Sequence, residues 1–139
     1  MNGNRAFFDT NLIVYAYSDD DLYKKRRTIS VMNDSYCVVS TQVLNEFCNV
    51  CIKKQHKTET EIVLSIGEIQ ATCDLFIVDA DTVAHALEIH SRYHFSYYDC
   101  LIVASALESG CDYLFTEDLQ DGQVIDGLTI RNIFMEELT

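Results

Sequence analysis

Short apolar runs and longer stretches of helical periodicity alternate along this chain. Ala6–Asp9 reads as a short strand, closed by the polar residues Asp9, Thr10 and Asn11. A helical stretch follows from Leu12, then a charged helix from about Asp20 to Asn33. Tyr36–Ser40 is rich in β-branched and aromatic residues and predicts a second strand. Ser40 or Thr41 is placed to cap the next helix, which runs to about Lys54 and gathers Val43, Leu44, Phe47, Cys48 and Cys51 on one broad face.

Thr58 or Thr60 starts another helix, reaching about Thr72, in which Ile62, Ile66 and Ile69 recur at helical spacing. Leu75–Val78 predicts a third strand. Asp81 or Thr82 caps a helix to about Tyr93, and Ser96 caps one through Leu107 that Gly110 stops. Tyr113–Phe115 and Leu128–Ile133 are the fourth and fifth strands.

Strands separated by helices imply right-handed crossovers. The expected fold is therefore α/β: one domain over residues 1–139, with a mostly parallel five-stranded sheet and helices on both faces. No repeat, linker or low-complexity segment interrupts it. In such sheets, sites open outside the carboxyl ends of the strands, where strand order reverses.

Several acids fall at those places. Asp9 ends the first strand, and Thr116-Glu117-Asp118-Leu119 follows the fourth, so both would face one crevice if those strands are neighbours. Asp9 alone is equally a helix cap. Asp99 opens Tyr97–Leu107, in which Ser105 is nearly the only other polar side chain. A helix apolar on every side is buried, and a buried carboxylate must be paired, hydrogen-bonded or bound to metal. Ser96 and Asp99 also have capping-box spacing, which is compatible with a ligand role. Glu46 lies at the edge of an apolar helix face beside Val43 and Val50, where a solvated glutamate would also be ordinary.

Composition narrows the classes. The 139 residues carry 22 acids against 10 Lys and Arg, a formal charge of -12. That balance argues against a conventional DNA-binding module, yet it suits an enzyme that holds cations in an acidic pocket. No prolines and five glycines allow long helices. Six cysteines accompany no legible secretory signal and no membrane-length apolar run, so reduced thiols in the cytoplasm are expected. Cys48 and Cys51 form a CxxC inside a helical pattern, without the second pair a zinc site needs. His90 and His94 lie one helical turn apart without the glutamate of an HExxH motif, and read as a solvated pair.

The strongest basic run is Lys24, Lys25, Arg26 and Arg27, a candidate for phosphate contact or simply a solvated helix face. Lys53, Lys54 and Lys57 read as cations favoured near a helix C-terminus. Tyr93, Phe95, Tyr97 and Tyr98 could stack on bases, although aromatics beside a buried helix are more often core.

The segments FFDTNLIVYAY, TQVLNEFCNV, YYDCLIVASALESGCDYLFTEDLQDG and LTIRNIF together resemble the PIN domain, and within it the VapC-type toxins of bacterial toxin–antitoxin pairs. The resemblance runs from Phe7 to Phe134. It implies a Mg²⁺- or Mn²⁺-dependent endoribonuclease with a catalytic, metal-binding quartet of Asp9, Glu46, Asp99 and Asp118. Asn11 and Thr116 match its accessory polar positions. The closing TEDLQDG offers Glu117, Asp118 and Asp121; Asp118 takes the third place of the TxD pattern, with Asp121 auxiliary. The resemblance further implies an RNA substrate, a protein antitoxin and a homodimer.

Two other classes compete. A phosphate-accepting signalling receiver would need paired acids after the first strand and a lysine after the last, where this chain has Thr10, Asn11 and Arg131. A catalytically silent scaffold of the same family would not need all four acids.

Overall fold

A computed structural model describes residues 4–135. Its strands are β1 (Arg5–Phe8), β2 (Tyr36–Ser40), β3 (Asp74–Phe76), β4 (Tyr113–Phe115), β5 (Val124–Ile125) and β6 (Leu128–Arg131). Its helices are α1 (Thr10–Ala16), α2 (Leu22–Asn33), α3 (Thr41–Lys53), α4 (Glu59–Thr72), α5 (Ala80–Tyr93) and α6 (Tyr97–Glu108).

The sheet order is β3-β2-β1-β4-β6-β5, parallel except where β5 runs against β6. The sheet thus has six strands, one more than the sequence reading expects. The additional strand is the first arm of a hairpin whose turn is Asp126-Gly127, both at positive φ (50° and 91°). Asp-Gly between apolar residues is a strong signal for that tight turn, and only the two-residue length of β5 hides it. Elsewhere the boundaries move by a residue or two; β3 begins at Asp74 and ends before Val78.

Two crossovers carry the chain from β1 to β2 to β3, and a third returns it across the sheet to β4. Right-handed crossovers travelling in opposite directions deliver their helices to opposite faces. The sheet is therefore covered on both sides, and β1, β2 and β4 read as nearly continuous apolar runs because both faces are buried. Phe7, Phe8, Val38, Val39, Leu114 and Phe115 are buried, with the Phe8 and Phe115 rings edge to face at 5.1 Å.

Helix caps set the directions of the elements that bear the site. Ser40 Oγ accepts from Val43 N and starts α3; Ser96 Oγ accepts from Asp99 N and starts α6. Asp79, not Asp81 or Thr82, caps α5, with Thr82 as its capping-box partner. From Cys100 to Ala106 every residue of α6 is buried, the environment its uniform apolarity requires. Gly110, at φ +74°, ends that helix by sending its N–H to the Leu107 carbonyl.

Candidate metal centre

Strand order reverses at β1, which lies between β2 and β4. The carboxyl ends of β1 and β4 therefore open side by side, and Asp9 and Asp118 enter the same crevice from these two ends. Asp99 enters from the first turn of α6, and Glu46 from α3, the helix that follows β2. All four line one cavity of about 220 Å³, together with Asn11, Thr10, Gln42 and Tyr98.

Oxygen atoms of Asp9, Asp99 and Asp118 all lie within 4.8 Å of one another. Asp9 is the most deeply placed, with 7% of its surface exposed, while Asp99 is half-buried and Asp118 exposed. Asp9 spans two roles: its Oδ1 accepts from Thr10 N at 2.7 Å and caps α1, while its Oδ2 accepts from Thr116 Oγ1 at 2.7 Å. Thr116 Oγ1 in turn accepts the Asp118 N–H at 3.1 Å. One buried hydroxyl thus fixes both the Asp9 carboxylate and the backbone that bears Asp118.

Glu46 is held from both sides. Thr10 Oγ1 donates to its Oε1 at 2.5 Å, and Gln42 Nε2 approaches its Oε2 at 3.4 Å. Gln42 Nε2 also donates to the Tyr98 carbonyl at 3.2 Å, tying α3 to the start of α6. These assignments give Gln42 and Thr10 roles that the sequence reading does not. The signal for Gln42 is its position four residues before Glu46 on the same helix face.

Electrostatics follow from the crowding. Burial pushes the Asp9 carboxyl up to about 6, against the opposing pull of its bonds from Thr116 and Thr10, and repulsion from Asp118 and Asp99 adds to the rise. Asp99 is also raised, first by burial and then by repulsion from Asp118 and Glu46, with the Ser96 hydroxyl working the other way. A donor set made only of carboxylate oxygen is suited to a hard divalent cation.

The other candidate residues are placed differently. Asp121 lies outside this cavity: its Oδ1 accepts from Asn132 N and faces Arg131 at 3.8 Å, which ties down the loop after β4. Lys24 reaches Glu117 Oε2 at 2.6 Å, over the rings of Tyr15 and Phe134, while Tyr15 Oη donates to the other Glu117 oxygen. Lys25 pairs with Asp19, Arg27 donates to the Ile133 carbonyl, and Arg26 is exposed. His90 and His94 are exposed, with ring centroids 6.1 Å apart.

The family profile of the PIN domain matches residues 6–121. No curated protein matches the chain significantly in sequence. Among solved structures, it resembles Mycobacterium tuberculosis VapC20, a toxin that cleaves the sarcin-ricin loop, with a TM-score of 0.66 at 17% identity, covering 81% of this chain and 91% of that one. A toxin–antitoxin complex from Klebsiella pneumoniae matches with a TM-score of 0.66 at 19% identity, covering 89% and 95%. VapBC2 of Rickettsia felis, bound to a DNA fragment from its promoter, matches with a TM-score of 0.67 at 16% identity, covering 91% and 97%.

Proposed function

The chain belongs to the PIN domain family, and from that premise we propose that it is a metal-dependent endoribonuclease, the toxin of a bacterial toxin–antitoxin pair. The observation that carries this reading is the convergence of Asp9, Asp99 and Asp118 within 4.8 Å at the carboxyl edge of the sheet. Carboxylates this close repel one another, and a divalent cation offsets that repulsion. Asp9, Asp99 and Asp118 would hold Mg²⁺ or Mn²⁺, with Glu46 available to a second ion or to the attacking water. When bound, such an ion lowers the pKa of a water and stabilises charge developing on the scissile phosphate.

The chain's own side chains do the positioning. Thr116 Oγ1 and Thr10 N hold the Asp9 carboxylate by both oxygens, so it need not reorganise when charge arrives. Glu46 Oε1 is fixed by Thr10, whereas Oε2 has only the longer contact with Gln42. Oε2 is therefore the atom placed to accept a proton from the attacking water. Asn11 is exposed at the rim of the cavity and offers its amide to the substrate. Arg26 is the member of the basic run best placed for phosphate contact, because Lys24 and Lys25 face acids and Arg27 a backbone carbonyl.

Two structural neighbours are toxin–antitoxin assemblies. By that likeness the partner is an antitoxin, and the acidic cavity suits one that inserts an Arg or Lys; the family resemblance of the sequence adds a homodimer acting in the cytoplasm to this proposal. Among the described residues no helix is long and apolar enough to cross a membrane.

Cleavage of a mixed structured-RNA pool tests the activity, with Mg²⁺, Mn²⁺ or EDTA and with an Asp9→Asn variant alongside. Cleavage that needs metal and disappears in Asp9→Asn is the expected result. A folded protein that neither cleaves nor binds Mn²⁺ would return the chain to the scaffold reading.

A further inference from the structure

A second cavity, of about 550 Å³, adjoins the carboxylate cavity and shares Gln42, Glu46 and Tyr98 with it. It is larger than the metal cavity and lies within the size range of small-ligand sites. One wall is a stripe along α3 carrying the amides of Gln42, Asn45 and Asn49; Val78 and Leu101 add apolar surface. Tyr98 stands on the boundary between the two cavities, with 63% of its surface exposed. Among the described residues no lysine or arginine lines this groove, so its chemistry does not suit a phosphate.

Carboxamides both donate and accept hydrogen bonds, which matches the edge of a nucleobase. An exposed tyrosine beside them offers a stacking face. Gln42 adds a separate observation. It is only 9% exposed, its Nε2 is committed to Tyr98 and Glu46, and its buried Oε1 has no hydrogen-bond partner among the described residues. A buried acceptor without a donor is costly, which leaves the wall shared by the two cavities incompletely satisfied.

We propose that this groove between α3 and the start of α6 binds one unpaired nucleobase next to the scissile phosphate, with Asn45 and Asn49 reading its edge and Tyr98 stacking on it. This rests on the endoribonuclease reading and adds to it a base-reading subsite beside the carboxylate cavity, built from Asn45, Asn49 and Tyr98. Sequence preference then comes from the amide stripe, and the acidic cavity remains indifferent to base identity.

The test is fluorescence polarisation of labelled 2′-O-methyl oligomers of A, C, G or U in EDTA, with wild type, Asn49→Ala, Asn45→Ala and Tyr98→Ala. Cleavage-end sequencing of a randomised unstructured RNA, with Mn²⁺ added, accompanies it. The wild type should prefer one base, Asn45→Ala and Asn49→Ala should level that preference, and Tyr98→Ala should weaken all four oligomers by about tenfold. Wild-type binding and cleavage with all three variants indistinguishable from it would overturn the groove while leaving the nuclease standing. A wild type that neither binds any oligomer nor cuts RNA would overturn both.

Discussion

Thr116 Oγ1 donates to Asp9 Oδ2 at 2.7 Å, from the end of β4 to the end of β1, and accepts the Asp118 N–H at 3.1 Å. A single buried hydroxyl thus couples the two strand ends at which the chain reverses direction across the sheet. Its removal should reach both acids at once. Thr116→Val keeps the shape but leaves Asp9 Oδ2 and Asp118 N without their partner. The expected cost is about 1–3 kcal/mol of stability, with RNA cleavage falling by at least about tenfold. Thr116→Ser, which retains the hydroxyl, should recover most of both. Urea unfolding and initial cleavage rates decide; an active, fully stable Thr116→Val would show that the bond positions nothing.

The Asp9 carboxyl, raised from 3.8 to about 6, makes the metal-free protein sensitive to pH. Between those values the folded chain holds a proton that the unfolded chain has released. The corresponding stability is fully present below about pH 4 and is lost as pH rises through about 6, a change on the order of 3 kcal/mol. Asp99, raised in the same direction, adds to it. In EDTA the melting temperature should therefore fall from pH 4 to 7, and Asp9→Asn should flatten much of that fall. Stabilisation by Mn²⁺ should grow over the same interval, because protons and the ion compete for one carboxylate. A flat melting profile in EDTA would contradict this picture of Asp9.

Lys24 and Arg26 are two residues apart and should behave differently. Lys24 is bound to Glu117 and lies over two aromatic rings. Lys24→Ala should cost about 1 kcal/mol of stability and leave the salt dependence of RNA binding unchanged. Exposed Arg26 should do the opposite: Arg26→Ala keeps the melting temperature and lowers the salt slope by about 1. Binding isotherms at several salt concentrations, with thermal melts beside them, separate the two roles. The reverse pattern would assign phosphate contact to Lys24.

Much of the fold is legible in the sequence because β2, β4 and α6 are unusually pure signals. The first two are short, β-rich and buried on both faces, and α6 is apolar all round. The sixth strand is hidden because two residues carry no periodicity, although Asp126-Gly127 marks its turn. Asp79 is passed over as the cap of α5 because Asp81 and Thr82 are equally good caps within three residues. At the site, spacing and family resemblance single out the acids, yet neither says what holds them. Thr10 and Gln42 are ordinary polar residues until the fold brings them to Glu46. Asp121 looks like a third acid of the same loop, but its Oδ1 accepts from Asn132 N, away from the cavity.

The most direct test of the central claim is Asp99→Asn, assayed by calorimetric Mn²⁺ titration and RNA cleavage, with circular dichroism to verify the fold. Asp99 is half-buried, and its backbone N–H, which caps to Ser96, is unchanged by the substitution. The variant should fold as the wild type does, bind Mn²⁺ at least about tenfold more weakly and cut no RNA. A folded Asp99→Asn that binds Mn²⁺ normally and still cleaves would contradict the assignment of the three-aspartate cluster as the metal centre of a ribonuclease.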